Sequence, residues 1–272
     1  MVFSYVSASW RFLMTVLDIA VAAQRRAPEV ASPEAAAAQA LDVRLGEIET
    51  LEGRLRVIAD ILPGRITFST SLGIEDQAII HAIATTGAKI DVFTLDTGRH
   101  FPETLDTLFE TEGRYGIKIR VMYPDTAEVE ALVAEDGIYG FRYSVDARKA
   151  CCNIRKVRPL NRALAGANGW ITGLRRDQSE GRAEVPFASY DPEQKLFKIN
   201  PIADWSLTQL ESYVAENKIP VNTLHGQGYP SIGCQPCTRA IRPGEDIRAG
   251  RWWWENENAK ECGLHASPGL KG

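Results

Sequence analysis

The sequence predicts an α/β fold, a mostly parallel twisted sheet with helices on both faces. Two observations predict it. Short apolar runs of strand length alternate with longer segments of helical period, from Arg65 to Asn217. Three of those strand-like runs end in glycine-bearing turns rich in small polar or charged residues, and open α/β sheets hold their ligands at that edge.

Taken in order, Leu41, Leu45, Ile48, Leu51, Leu55, Ile58 and Ile61 recur at three-and-four spacing and predict one amphipathic helix from Asp42 to Leu62, stopped by Pro63-Gly64. RITFSTS is a first strand, and IEDQAIIHAIATTG a helix ending at Gly87. KIDVFTLDTGR is a second buried strand running into a turn. Pro102 then opens PETLDTLFETEGRYG as a first-turn proline. IKIRVMYP is the third strand, with a short helix around Val129 to Ala134. The segment Asp146 to Ala165 is helical in pattern and carries two adjacent cysteines. GWITGLRR and LFKINPI are strands four and five. SLTQLESYVAEN starts on a serine N-cap and places Leu207, Leu210 and Val214 on one face.

The 272 residues are 44% hydrophobic and 24% charged, enough apolar material for a sizeable core. A formal net charge of −4 gives no support to a nucleic-acid partner. No stretch approaches the roughly 20 uninterrupted apolar residues of a membrane span, so no membrane association is expected. The N-terminal run resembles a signal peptide, yet Arg11 and Asp18 interrupt it and no basic segment precedes it. Residues 1–40 are therefore expected to be a poorly ordered or extended terminus, with Pro28 to Ala40 an alanine-rich linker or weak helix. A nucleotide-binding domain is expected over 41–240 and a separate C-terminal segment over 241–272.

Ser69-Thr70-Ser71-Leu72-Gly73-Ile74-Glu75-Asp76 follows the first strand and opens a helix. Small hydroxyls and a glycine let backbone approach an anion, and the helix start offers free N–H groups. The same residues also suit a plain βα turn. Leu95-Asp96-Thr97-Gly98-Arg99 ends the second strand with a carboxylate able to accept from a ribose or base. Gly173-Leu174-Arg175-Arg176-Asp177-Gln178-Ser179 ends the fourth with two guanidiniums suited to phosphate. Three such turns at one sheet edge point to nucleotide binding.

Five cysteines, an odd number, do not suggest a disulfide framework. Cys151 and Cys152 are adjacent, Cys234 and Cys237 form a C-x-x-C, and Cys262 stands alone. That grouping suggests a metal site and a reactive thiol in a reducing, cytoplasmic compartment. Four thiolates suit zinc or a [4Fe–4S] cluster, and on spacing alone zinc is the commoner reading. Adjacent helical side chains diverge by about 100°, which is awkward around one tetrahedral ion and tips the balance toward a cluster.

The motifs also carry a family resemblance. STSLGIED is similar to the modified PP-loop of the adenosine phosphosulfate and phosphoadenosine phosphosulfate reductases. LDTGR, ITGLRRDQS and ECGLH resemble three further signatures, in family order, across about residues 42 to 266. The resemblance implies an adenine nucleotide alpha hydrolase-like (PP-loop) fold with a mobile C-terminal tail. It implies reduction of adenosine 5′-phosphosulfate to sulfite and AMP, with Ser69, Thr70, Ser71, Gly73, Glu75, Asp76, Leu95, Asp96, Thr97, Gly98, Arg99, Gly173, Arg175 and Arg176 binding substrate. The CC…CxxC set, Cys151, Cys152, Cys234 and Cys237, looks like the cluster pattern of the adenosine phosphosulfate branch, although some cluster-bearing members take both substrates. Lys156 resembles the family lysine between cluster and substrate. Arg248 and Arg251 resemble its sulfate-binding pair, with Cys262 as nucleophile assisted by His265. Thioredoxin or a glutaredoxin-like protein is the implied reductant, and a homo-oligomer is expected.

Two rival readings make different demands. A PP-loop ATP pyrophosphatase should show an SGGxDS-like loop, which this chain lacks. A non-catalytic metal or redox sensor would make Cys262 dispensable. The run Trp252-Trp253-Trp254 is too wide for one helix face and suits a tail anchor, a subunit contact or a thioredoxin contact equally.

Overall fold

A computed structural model describes residues 32–255 of the chain. Two compact units divide it, Met1–Ala37 and Ala38–Gly272. Of the first, the description covers only the opening of helix α1 (Pro33–Gly46), where the Ser32 hydroxyl accepts from the Ala35 N–H. In the second, Ala38, Leu41 and Leu45 of α1 are buried, so the alanine-rich stretch is helical from Pro33 onward.

The single helix expected from Asp42 to Leu62 is two. α1 stops at Gly46, and α2 (Leu51–Ile61) restarts after Thr50, whose hydroxyl caps the Gly53 N–H at 3.2 Å. Leu45, Leu51, Leu55 and Ile58 still reach the same core, because a shared apolar spacing does not require an unbroken helix. Thr50 was the visible break signal.

The sheet has six strands: β1 (Ile66–Thr70), β2 (Asp91–Leu95), β3 (Arg120–Met122), β4 (Gly169–Ile171), β5 (Ala188–Asp191) and β6 (Leu196–Ile199). Their spatial order is β3-β2-β1-β4-β6-β5, parallel except for the β5–β6 hairpin. β5 is an addition to the five expected strands. An edge strand needs no alternating apolar face, so ASYD carries no periodic signal.

α3 (Ile74–Thr86) follows β1, with Ala78, Ile79, Ile80, Ala82 and Ile83 all buried. α4 (Pro102–Tyr115) follows β2 with Pro102 in its first turn. α5 (Thr126–Asp136) follows β3 and is capped by the Asp125 carboxylate. The segment expected as one helix from Asp146 to Ala165 is α6 (Val145–Cys152), a π-helical turn (Asn153–Val157) and α7 (Arg158–Leu164). α8 (Leu207–Glu216) begins with a capping box between Ser206 and Gln209, as the serine predicted. Leu210 and Val214 are buried, whereas Leu207 lies outside the core and is exposed.

Alternate strand residues serve opposite faces. Phe68, Val92 and Ile171 join the larger core with α2, α3 and α8, while Phe93 and Trp170 pack with Leu160, Ala163 and Leu164 of α7. Both faces are thus covered, and the chain order reverses between β1 and β4. Their carboxyl ends flank the switch point of the sheet. No helix among the described residues is long and apolar enough to cross a membrane.

Candidate active site

At that switch point lies a cavity of about 230 Å³. Its floor is the loop after β1. Ser69 Oγ accepts from Trp170 Nε1 at 2.8 Å, and Thr70 Oγ1 accepts from the Leu72 N–H. Leu72 sits at φ 62, and this left-handed residue turns the chain sharply into α3, whose N-cap is Gly73. Asp76 reaches back from the first turn, and its Oδ2 accepts from the Ser71 N–H at 2.5 Å and the Ser71 hydroxyl at 2.7 Å. Burial pushes the Asp76 carboxyl up to about 7, against the lowering effect of those two bonds; nearby Glu75 raises it further.

The loop after β4 closes onto this floor. Gly173 stands where a Cβ would lie 2.4 Å from Asp76 Oδ1, so a side chain there would displace the carboxylate. Arg175, 1% exposed, donates to Glu75 through Nε (3.3 Å) and Nη2 (3.1 Å), and through Nη1 to Asp177 and the Trp205 carbonyl. Gln178 Nε2 shares Glu75 Oε1 at 2.9 Å. Arg175 is therefore a buried strut joining two loops. Arg176 turns the other way, with Nε on the Val185 carbonyl and its guanidinium stacked on Phe187. Neither arginine lines the cavity.

The cavity's cations come from elsewhere. Lys156 on the π turn, Arg182, Arg248 and Arg251 all line it, as do His100 and His225. Burial lowers the pKa of both histidines. His100 Nε2 is held 2.8 Å from the Leu95 carbonyl. Gly233 admits the buried Arg251 guanidinium, since a Cβ there would meet Nη2 at 2.3 Å; Arg251 Nη1 donates to the Ile232 carbonyl.

The loop after β2 is placed differently from the other two. Only Leu95 of its predicted residues lines the cavity. Asp96 folds back to accept from the Gly98 N–H at 2.8 Å. Thr97 is fully buried, with its hydroxyl 3.3 Å from Cys234 Sγ and its carbonyl accepting from Arg155 Nη1 at 2.8 Å. Arg99 lies over Phe141, and its carbonyl accepts from the Gln235 N–H. This loop ties the end of β2 to the cysteines.

Cys234 and Cys237 are buried beside Phe141 and Trp252, with Cys151 and Trp254 packed on them. None of the four described cysteines is in a disulfide. Cys152, half-buried, lies within hydrogen-bonding reach of Arg148, which also pairs with Glu255 at 2.6 Å. Burial and the neighbouring Cys234 thiol push Cys237 up to about 12, while Lys156 and Arg251 oppose the rise. Among the described residues, no three His, Cys, Asp or Glu side chains converge as a single-ion site requires. The four thiols form an all-sulfur donor set, whose softness suits an iron–sulfur cluster or zinc, with Lys156 and Arg251 beside Cys237.

Ser69, Thr70, Ser71, Gly73, Glu75, Asp76, Leu95, Lys156, Gly173, Arg248 and Arg251 thus surround one cavity. Asp96, Thr97, Gly98, Arg99, Arg175 and Arg176 lie outside its lining. Cys262 and His265 lie outside the described residues. Sequence reasoning passed over His100, Thr172, Gln178, Arg182, His225 and Ser231. Four of them had a signal in plain view: His100 adjoins LDTGR, and Thr172, Gln178 and Arg182 lie in or just past ITGLRRDQS.

Residues 65–240 match the family described as the phosphoadenosine phosphosulfate reductase domain. The chain is 57% identical over 227 residues to an adenosine 5′-phosphosulfate reductase of Agrobacterium fabrum, covering 84% of this chain and 86% of that one. It is 56% identical to the enzyme of the same name from Sinorhizobium fredii strain USDA 257, covering 85% and 92%. Among solved structures it resembles a phosphoadenylyl-sulfate reductase from Candida auris in a phosphate complex, with TM-score 0.64, 26% identity and coverage of 75% and 95%.

Proposed function

This chain belongs to the phosphoadenosine phosphosulfate reductase family, and we propose that it reduces adenosine 5′-phosphosulfate to sulfite and AMP for sulfate assimilation. The observation that carries this reading is the shared cavity, in which the anion-approachable loop of Ser69 to Gly73 faces Lys156, Arg182, Arg248 and Arg251. A phosphate on the α3 N-terminus gains backbone N–H donors and a favourable dipole. A sulfate beyond it lies among the cations.

The chemistry requires those cations. The Cys262 thiolate must approach a sulfate already joined to phosphate, and two like charges 4 Å apart repel by about 4 kcal/mol at an effective dielectric near 20. Arg248, Arg251 and Lys156 offset that repulsion. In the proposed step Cys262 Sγ bonds to the sulfur, the sulfur–oxygen bond to AMP breaks, and AMP leaves with the electron pair. A thiosulfonate remains on Cys262. His265, three residues on, stabilises the attacking thiolate.

A [4Fe–4S] cluster is part of the proposal, held by Cys151, Cys152, Cys234 and Cys237. When bound it would hold its four ligands as thiolates against the upward pull of burial, leaving a net anionic centre whose charge Lys156, Arg251 and Arg155 would balance beside the sulfate end of the cavity. Thr97 and Arg155 connect that centre to the nucleotide loop, and Lys156 faces both the cavity and the Cys237 thiol.

The test is anaerobic sulfite release from adenosine 5′-phosphosulfate, in parallel with phosphoadenosine phosphosulfate, with thioredoxin as reductant. Turnover with the former, abolished by Cys262→Ser with iron content intact, is expected. Turnover with the 3′-phosphorylated nucleotide alone would overturn the substrate assignment, and full activity in Cys262→Ser would overturn the mechanism.

A further inference from the structure

The tryptophan run divides. Trp252 is buried against the cysteines and lines the cavity. Trp254 packs on Phe141 with ring centroids 6.0 Å apart, and Trp253 turns outward against it at 4.8 Å. Arg142 lies over four rings at once: Tyr139, Phe141, Trp253 and Trp254, at 5.3, 5.8, 5.5 and 5.2 Å. Its Nη2 also donates to the Pro236 carbonyl inside the C-x-x-C. Ile138, Tyr139 and Tyr143 stand around it at 59%, 57% and 80% exposure, and Trp253 at 38%.

Arg142 thus joins Tyr139 and Trp253 into one exposed surface beside the C-x-x-C turn, with the exposed Ile138 and Tyr143 next to them in the chain. Large exposed apolar groups gathered in one place mark an interaction site more often than scattered ones. Tyrosine, tryptophan and arginine are also the residues that dominate interface energetics. The cavity does not use them, since Tyr139, Arg142, Tyr143 and Trp253 are absent from its lining.

We infer that the surface formed by Ile138, Tyr139, Arg142, Tyr143 and Trp253 is the docking face for the dithiol protein that releases sulfite from the enzyme. The inference rests on the proposed Cys262 thiosulfonate and names where its reductant lands. The position of the chain carries the argument. Glu255 follows directly on the tryptophans, and Cys262 is seven residues further, a reach of at most about 25 Å. Cys262 Sγ can therefore be presented to a dithiol protein seated on this face. Its first thiolate attacks Cys262 Sγ, the sulfur–sulfur bond breaks, and sulfite leaves with the electron pair. Its second thiol then attacks the partner's own sulfur in the mixed disulfide, freeing the Cys262 thiol and leaving the partner oxidised by two electrons.

Trp253→Asp and Tyr143→Asp, each in the full-length iron-loaded protein, separate this role from the others. Three readouts are taken: the KM for thioredoxin, turnover driven by dithiothreitol, and the AMP burst without reductant. The expected result is a KM for thioredoxin raised about tenfold, with burst and dithiothreitol-driven turnover unchanged. Tyr143 is so exposed that its variant keeps the test alive should the Trp253 variant fold poorly. A KM unchanged within twofold overturns the inference, and a changed oligomeric state alongside it would assign the face to a second copy. Loss of the burst also overturns it, by assigning the face to the chain's own tail. Absence of any burst in the unsubstituted protein would instead sink the thiosulfonate reading, and the docking inference with it.

Discussion

The floor of the cavity and the cysteine centre beside it are built on opposite plans. The floor is local: Ser69 to Asp76 is eight consecutive residues, and its hydrogen bonds run between neighbours such as Ser71 and Asp76. The cysteine centre is assembled from four distant segments, with Thr97 after β2, Cys151 on α6, Cys234 and Cys237 in a short turn, and Trp252 near the end of the described chain. A local loop holds its shape through backbone geometry and one helix start. A centre gathered from four segments holds only while the whole sheet edge holds, so the two should fail in different ways.

The largest expected effect breaks the centre alone. Cys234→Ser should lose iron and reduce sulfite release by at least about 100-fold, while AMP still binds the intact loop; iron analysis and equilibrium AMP binding on one preparation check both halves. Loss of AMP binding as well would show that the regions are not separable.

Next, Arg175→Ala attacks the floor from behind. It leaves Glu75 without its buried partner and should cost about 3–5 kcal/mol in denaturant unfolding. Because the partners of Arg175 are Glu75, Asp177 and the Trp205 carbonyl rather than the cysteines, the variant that remains folded should keep its iron.

A smaller effect depends on pH. Asp76 titrates near 3.8 when unfolded and about 7 in the fold, so between those values the folded state keeps a proton that the unfolded chain has lost. Folding stability should therefore fall as pH rises from about 4 to 7, and the loss should be complete above 7. Asp76→Asn keeps an acceptor for Ser71 and removes the titration. Its stability relative to the parent should rise by a few kcal/mol between pH 4.5 and pH 8, measured by urea unfolding. An unchanged difference would show that Asp76 is ionised throughout.

The smallest change is Ser69→Ala, which removes the acceptor of the Trp170 Nε1 bond at 2.8 Å. A loss of about 1 kcal/mol is expected in thermal or urea unfolding, with iron content unchanged.

The same contrast explains what was legible. The position of the loop after β1 could be read because its shape is contained in its own residues, and all of Ser69, Thr70, Ser71, Gly73, Glu75 and Asp76 do line the cavity. The loops after β2 and β4 carry equally suggestive residues. Yet Asp96 caps its own turn, Arg175 is consumed by Glu75, and Arg176 stacks on Phe187. A guanidinium next to a strand end looks alike in sequence whether it faces the ligand or a neighbouring carboxylate. His225 and Ser231 had no motif of their own and enter the cavity only because their segment packs across it.

The sequence by itself determined the alternation of strands and helices, the parallel sheet, the loop at the switch point and the grouping of four thiols, because each depends on residue type and short-range spacing. The tertiary structure alone decided that an edge strand closes the sheet, that Arg175 is a strut between two loops and that Arg176 turns away onto Phe187. It also split the tryptophan run into one buried ring and an outward face. Those outcomes depend on which partner a side chain meets across the fold, and buried charges and aromatic rings are committed by the neighbours that packing brings to them.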